Sequence, residues 1–199
     1  MLEYISLWLG WFLFCFISFF MRRSVFRTSY IIGLLCIIIF FPYYFALDDF
    51  IFRMSHLFIL LWCSIALIKL HFSWKHYTFV LLIAYLYTTY FLWRITSPIL
   101  NDFSFLFIGL LCGILLIHWV KVAPHHKIYL WLSGISYGHL LLCLISSSYH
   151  LQNIRFDMHY YIFLFSIVFF LSIQNTWHHF LSKIETGVKI LENKKRWNR

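Results

Sequence analysis

The chain has 199 residues, 62% of them hydrophobic and 12% charged, with a formal net charge of +9 and a mean hydropathy of +0.80. A water-soluble domain carries roughly a quarter charged residues, so there are too few polar side chains here to coat a globule in water. The positive charge comes in short runs between apolar stretches of near-membrane length, which excludes a continuous surface for nucleic-acid phosphates.

The apolar stretches predict an all-α, polytopic transmembrane helix bundle of seven spans. The first runs from about Leu2 to Met21 and ends at the basic segment Arg22-Arg23-Ser24-Val25-Phe26-Arg27. The second covers about Ser29 to Ala46, with Pro42 near its outer end, and the third about Phe50 to Leu70. Arg53 and His56 fall in the first turns of the third span, where both are expected to snorkel toward the headgroups. The fourth span covers about Tyr77 to Trp93 and the fifth about Phe103 to Val120. The sixth covers about Ile128 to Ser147 and the seventh about His159 to Leu181. Each is near the roughly 20 residues needed to cross the hydrocarbon at about 1.5 Å per residue. Ser182 to Arg199 form a basic tail, predicted to be cytoplasmic.

Charge sets the orientation. With the N-terminus outside, all the lysines and Arg22, Arg23, Arg27, Arg196 and Arg199 fall inside, leaving only Arg53, Arg94 and Arg155 outside. Each of those three has an aspartate nearby in sequence: Asp48 and Asp49, Asp102, and Asp157. Lys and Arg accumulate on the cytoplasmic side, so the pattern predicts N-out and C-in, and removing or adding a span would destroy it. The first span is not expected to be a cleavable signal: it opens with Glu3, its arginines follow it, and it has no Ala-x-Ala.

Chemistry-bearing motifs are sparse. Cys15, Cys36, Cys63, Cys112 and Cys143 lie one per span in five helices and read as small packing residues. The loops hold no phosphate cradle, G-x-S-x-G or H-E-x-x-H, so no catalytic residue and no enzyme activity are expected. Histidines cluster at the inner face (His71, His76, His118, His125, His126, His178, His179) without the i, i+4 spacing of a helical zinc site. Only His139 is deep, which argues against haem. No metal or other cofactor is therefore expected.

Two glycine pairs carry architecture. Gly109-Leu-Leu-Cys-Gly113 in the fifth span and Gly134-Ile-Ser-Tyr-Gly138 in the sixth each place two glycines on one helix face, where backbones can approach closely. The two spans are neighbours joined by a short loop. The glycine faces are expected to pack on each other, with a homodimer contact as the alternative.

The candidate site is polar and intramembrane. Ser136, His139 and Cys143 form one stripe on the sixth span, and Ser172, Asn175 and His179, beside Gln174, form another on the seventh. Unpaired polar groups are costly in hydrocarbon, so the stripes are expected to face each other or a wet cavity. Tyr85, Thr88, Thr89 and Tyr90 of the fourth span are expected to join them. Such residues act either as hydrogen-bonding glue or as a proton-responsive or substrate-contacting site.

A chain of this length and topology, opening with Leu9-Gly10-Trp11 and leaving its first helix at Phe20-Met21-Arg22-Arg23, resembles the YphA family of membrane proteins from Bacillus-type bacteria. The resemblance implies a multi-pass protein of the bacterial cytoplasmic membrane and brings no activity with it. The three-one-three layout is also similar to SWEET sugar transporters, which use paired prolines in two repeats. Pro42 has no counterpart in the sixth span, and span count alone carries no function. Two functions remain. One is a non-enzymatic membrane component that contacts lipids and docks to a membrane-protein partner or to a second copy. The other is a small permease or channel with a polar path between the sixth and seventh spans. The tail, with Ile184, Val188 and Leu191 at helical spacing, is expected either to lie along the inner leaflet or to serve as a topological anchor.

Overall fold

A computed structural model describes residues 2–21, 23–47, 50–96, 123–149 and 157–197. Among them are six helices and one β-hairpin: α1 (Leu2–Phe20), α2 (Val25–Phe40), β1 (Tyr44–Leu47), β2 (Phe50–Arg53), α3 (Met54–Lys69), α4 (Trp74–Thr96), α5 (Pro124–Ser148) and α6 (Asp157–Trp197). The fold is therefore helical, as composition implies. The fifth span, about Phe103 to Val120, lies outside the described residues, so α5 corresponds to the predicted sixth span and α6 to the seventh.

Local chemistry sets the boundaries. Ser24 has extended backbone and its Oγ accepts from the Arg27 amide at 3.2 Å, which caps α2. That cap starts the helix at Val25, four residues before the predicted span. The Arg27 guanidinium reaches back to the Ser18 carbonyl at 2.6 Å and ties the end of α1 to the start of α2. Pro42 lacks an amide proton to continue the helical hydrogen bonds, so α2 ends at Phe40 although Phe41 keeps helical backbone geometry. The chain then enters the hairpin, paired from Tyr44 opposite Arg53 to Leu47 opposite Phe50. This corrects the predicted second and third spans, whose facing ends are strand. Both α2 and α3 are 16 residues long. Past Lys69 the chain turns through His71, whose φ of 45° is the left-handed geometry that ends many helices, here without glycine. Pro124 sits in the first turn of α5, where its missing amide is not needed.

Packing makes α5 the axis of the bundle. From Ile128 to His139 every residue is buried except the half-buried Tyr137, so this stretch of helix meets neighbours on all sides. It lies against α3, α4 and α6, while α1 lies against α2 and α6. The core joins Leu13 and Ile17 of α1, Ile59 and Cys63 of α3, Ile135 and Leu142 of α5, and Leu164 and Phe165 of α6. The outside is apolar as well, with Trp8, Phe19, Ile32, Leu61, Ile68 and Leu81 exposed. An apolar belt of this extent suits lipid, not water. Among the described residues two stretches are long and apolar enough to cross a bilayer: His126–Ser148, with a mean hydropathy of 1.6, and His159–Lys189, with 1.3.

The helices α4 and α5 cross closely. A Cβ added at Gly134 would lie 2.6 Å from Ile83 Cγ2, and one at Gly138 would lie 2.8 Å from the Ala84 carbonyl oxygen. Thr88 Oγ1 seals the contact by donating to the Gly138 carbonyl at 2.9 Å. The glycine face of α5 is thus filled by α4. Gly109 and Gly113, the partners expected for this face, lie outside the described residues. The match is steric: Ala84 is small enough to let α4 reach the groove that the two glycines open.

Candidate functional site

Four helices bring their polar side chains to one point beside α5. Ser136 and His139 project from its fourth and fifth turns, and Tyr160 comes from the first turn of α6. The Ser136 and Tyr160 hydroxyls are 2.9 Å apart, and the imidazole of His139 stacks on the Tyr160 ring at 4.4 Å between centroids. His56 enters from α3; its Nε2–H donates to the Ser136 carbonyl at 3.2 Å, and its ring stands edge-on to His139 at 4.8 Å. From α4, the Tyr87 hydroxyl lies 3.4 Å from His139 Nδ1, and Cys143 Sγ lies 3.7 Å from His139 Nε2. Ser136 and Tyr160 are 0% exposed and His139 is 1% exposed.

A second knot joins the hairpin to this cluster. Arg53 is buried, with its guanidinium carbon 4.5 Å from the Phe41 ring centre, 4.7 Å from Tyr44 and 5.9 Å from Tyr161. Its Nη1 donates to the Phe41 carbonyl at 3.1 Å. Tyr161, next to Tyr160, meets the Ser55 hydroxyl at 2.5 Å. The expectation that Arg53 and His56 snorkel outward is therefore corrected. The hairpin folds Arg53 over the aromatic end of the bundle, where desolvated cation–π contacts contribute up to about 2 kcal/mol, and His56 turns inward onto α5.

The predicted stripes do not face one another. Ser136 meets Tyr160, whereas Ser172 stands twelve residues further along α6, about 18 Å at helical rise. Phe169, one turn before Ser172, is packed between Phe12 and Phe16 of α1, so this part of α6 serves a different neighbour. Ser172 is buried, and its Oγ donates to the Val168 carbonyl of its own helix at 2.7 Å. Asn175 and Gln174 are half-buried, and the side chain of His179 lies outside the described residues. On α4, Thr88 is buried, whereas Tyr85 and Thr89 are exposed and Tyr90 is half-buried. The residues that complete the cluster, Tyr160, Tyr87 and His56, carried no separate signal. Tyrosines are abundant in this chain, and His56 near the end of a span reads equally well as interfacial.

The arrangement can hold or pass a proton among imidazole and hydroxyl groups, and it ties four helices together. Among the described residues no three His, Cys, Asp or Glu side chains are grouped to hold a metal ion. At the far end of α5, His126 meets Phe26 and Phe72 as one ring among others, and His76 Nδ1 bonds the Ser73 hydroxyl at 2.7 Å.

The family model for YphA-like integral membrane proteins matches residues 3–197. The chain belongs to that family. The resemblance carried by the opening Leu9-Gly10-Trp11 and the Arg22-Arg23 exit is thereby membership, and the chain is an integral membrane protein. In YphA-like terms the match includes the hairpin, both polar knots and nearly all of the last helix. No curated relative and no solved structure matches the chain.

Proposed function

We propose that this YphA-like protein is a non-enzymatic component of the bacterial cell membrane that works by docking to a membrane-protein partner, without passing a solute. The observation that carries this reading is the closure of the central polar cluster. Its hydroxyls and imidazoles are buried and bond to one another and to the backbone of α5: Ser136 to Tyr160, Tyr87 to His139, and His56 to the Ser136 carbonyl. A path for solute needs polar groups turned toward water, whereas this cluster serves as glue between helices. In the proposed topology the chain crosses seven times, N-out and C-in, with thirteen of its 16 basic residues inside.

Two measurements test this. In proteoliposomes under a pH gradient, proton entry is expected to match that of protein-free vesicles, and the His139→Leu variant is expected to behave alike. A flux above background that His139→Leu abolishes would establish the permease instead. For topology, reporters fused after Arg27, Lys75, Lys127 and Arg199 are expected to report cytoplasm. A periplasmic signal after Arg199 would end the seven-span arrangement.

A further inference from the structure

The helix α6 has 41 residues, about 60 Å at helical rise, roughly twice the thickness of the hydrocarbon core. A crossing that begins at His159 needs only about 20 residues, and an exposed apolar stripe continues past that length into the outer section of the helix. Trp177, Leu181, Ile184 and Val188 recur at intervals of four, three and four residues, which places them on one face, and all four are exposed. Lys183 and Lys189 are exposed as well. At about 100° per residue, they flank the stripe on opposite sides. From Ser182 to Arg199 there are six basic residues against Glu185 and Glu192.

We propose that this outer section docks on the anionic lipid leaflet from which α6 emerges, with Ile184 and Val188 at the acyl boundary and the lysines among the headgroups. An apolar face bordered by lysines on both sides is the pattern of an interfacial helix, and its surplus of positive charge complements anionic lipid. The same charge opposes the alternative occupant, a second copy laid in parallel, because like charges would be brought together along the whole section. A transmembrane helix longer than the hydrocarbon tilts, which lowers one face of the emerging part toward the headgroups. Gly187, with nothing within 4 Å of an added Cβ, provides a low-cost place for the remaining bend.

The test uses the intact protein in nanodiscs of phosphatidylcholine alone or mixed with phosphatidylglycerol. It reads tryptic cleavage after Lys183 and Lys189 relative to cleavage after Lys75. Nanodiscs expose both faces, so the outcome is independent of the orientation proposed above. Cleavage of the outer section is expected to slow about fivefold for each basic residue engaged, but only in anionic discs. High salt should restore it. Ile184→Ser with Val188→Ser is expected to abolish the protection. Equal cleavage in the two lipids would overturn the proposal. Protection in both lipids that grows with the number of copies per disc would overturn it in favour of self-association.

Discussion

Gly138→Val is expected to destabilise the protein by about 1–3 kcal/mol, with Gly134→Val comparable, because both sites are already full. At Gly138 a side chain meets the Tyr87 ring at 3.0 Å and two atoms of Ala84, the carbonyl oxygen at 2.8 Å and Cα at 3.1 Å. Both Ala84 atoms are backbone, so no rotamer change relieves the overlap and α4 itself must move. Moving it strains the bond from Thr88 to the Gly138 carbonyl. At Gly134 the obstacle is Ile83, whose Cβ, 2.7 Å away, is fixed to its backbone as firmly. The two losses are expected to add incompletely, since one displacement of α4 serves both. Gly187→Ala is the internal control. Nothing lies within 4 Å of its added Cβ, and removing a helical glycine favours the helix by about 0.5–1 kcal/mol. Thermal unfolding in detergent should therefore order the variants as Gly187→Ala, wild type, then Gly134→Val and Gly138→Val. A Gly138→Val protein as stable as wild type would mean that α4 does not occupy this face.

Tyr160→Ala is expected to cost more, about 3–5 kcal/mol, the range for deleting a buried aromatic ring. Tyr160 is among the largest fully buried side chains. Its ring supports His139 at 4.4 Å, His56 at 5.1 Å and Tyr161 at 4.9 Å between centroids, so its removal loosens α3 and α5 from α6 together. Tyr160→Phe keeps those contacts and loses only the hydroxyl partner of Ser136. A helical serine can turn its hydroxyl to the carbonyl four residues back, as Ser133 does to Tyr129 at 2.6 Å and Ser172 to Val168 at 2.7 Å. The phenylalanine variant is therefore expected to lose only about 1 kcal/mol. Chemical unfolding in detergent, with the amount of protein in the membrane, checks both. If Phe and Ala proved equally damaging, the hydroxyl bond and not ring packing would hold the cluster together.

Much of the local structure was legible in the residues. Arg22 and Arg23 after the first apolar run mark the end of α1, whereas Pro42, read as lying inside the second span, ends α2, and Pro124, four residues before the predicted sixth span, opens α5. The hairpin was missed because Tyr44, Phe45 and Phe52 suit a strand and an apolar helix end equally well. Of the candidate site, Ser136 and His139 stood out as polar residues in a hydrophobic helix, whereas their partners did not. Ser172 stood out for the same reason, yet its hydroxyl is satisfied by the backbone of its own helix.

Residue chemistry alone determined that this is a membrane protein, where several of its helices begin and end, and the positive bias of its last segment. Those are local properties: transfer of apolar side chains out of water, the missing amide of proline, the charge of lysine and arginine. Only the tertiary structure decided that α5 is the axis, that its glycines receive α4, that Ser136 meets Tyr160 instead of Ser172, and that Arg53 turns inward over aromatic rings. In a soluble helix an apolar face opposite a polar one reveals which side is buried. Here lipid and protein interior are equally apolar, so a buried face and a lipid-facing one look alike in sequence. Steric fit and a few hydrogen bonds choose the partners, and both exist only once the helices have met.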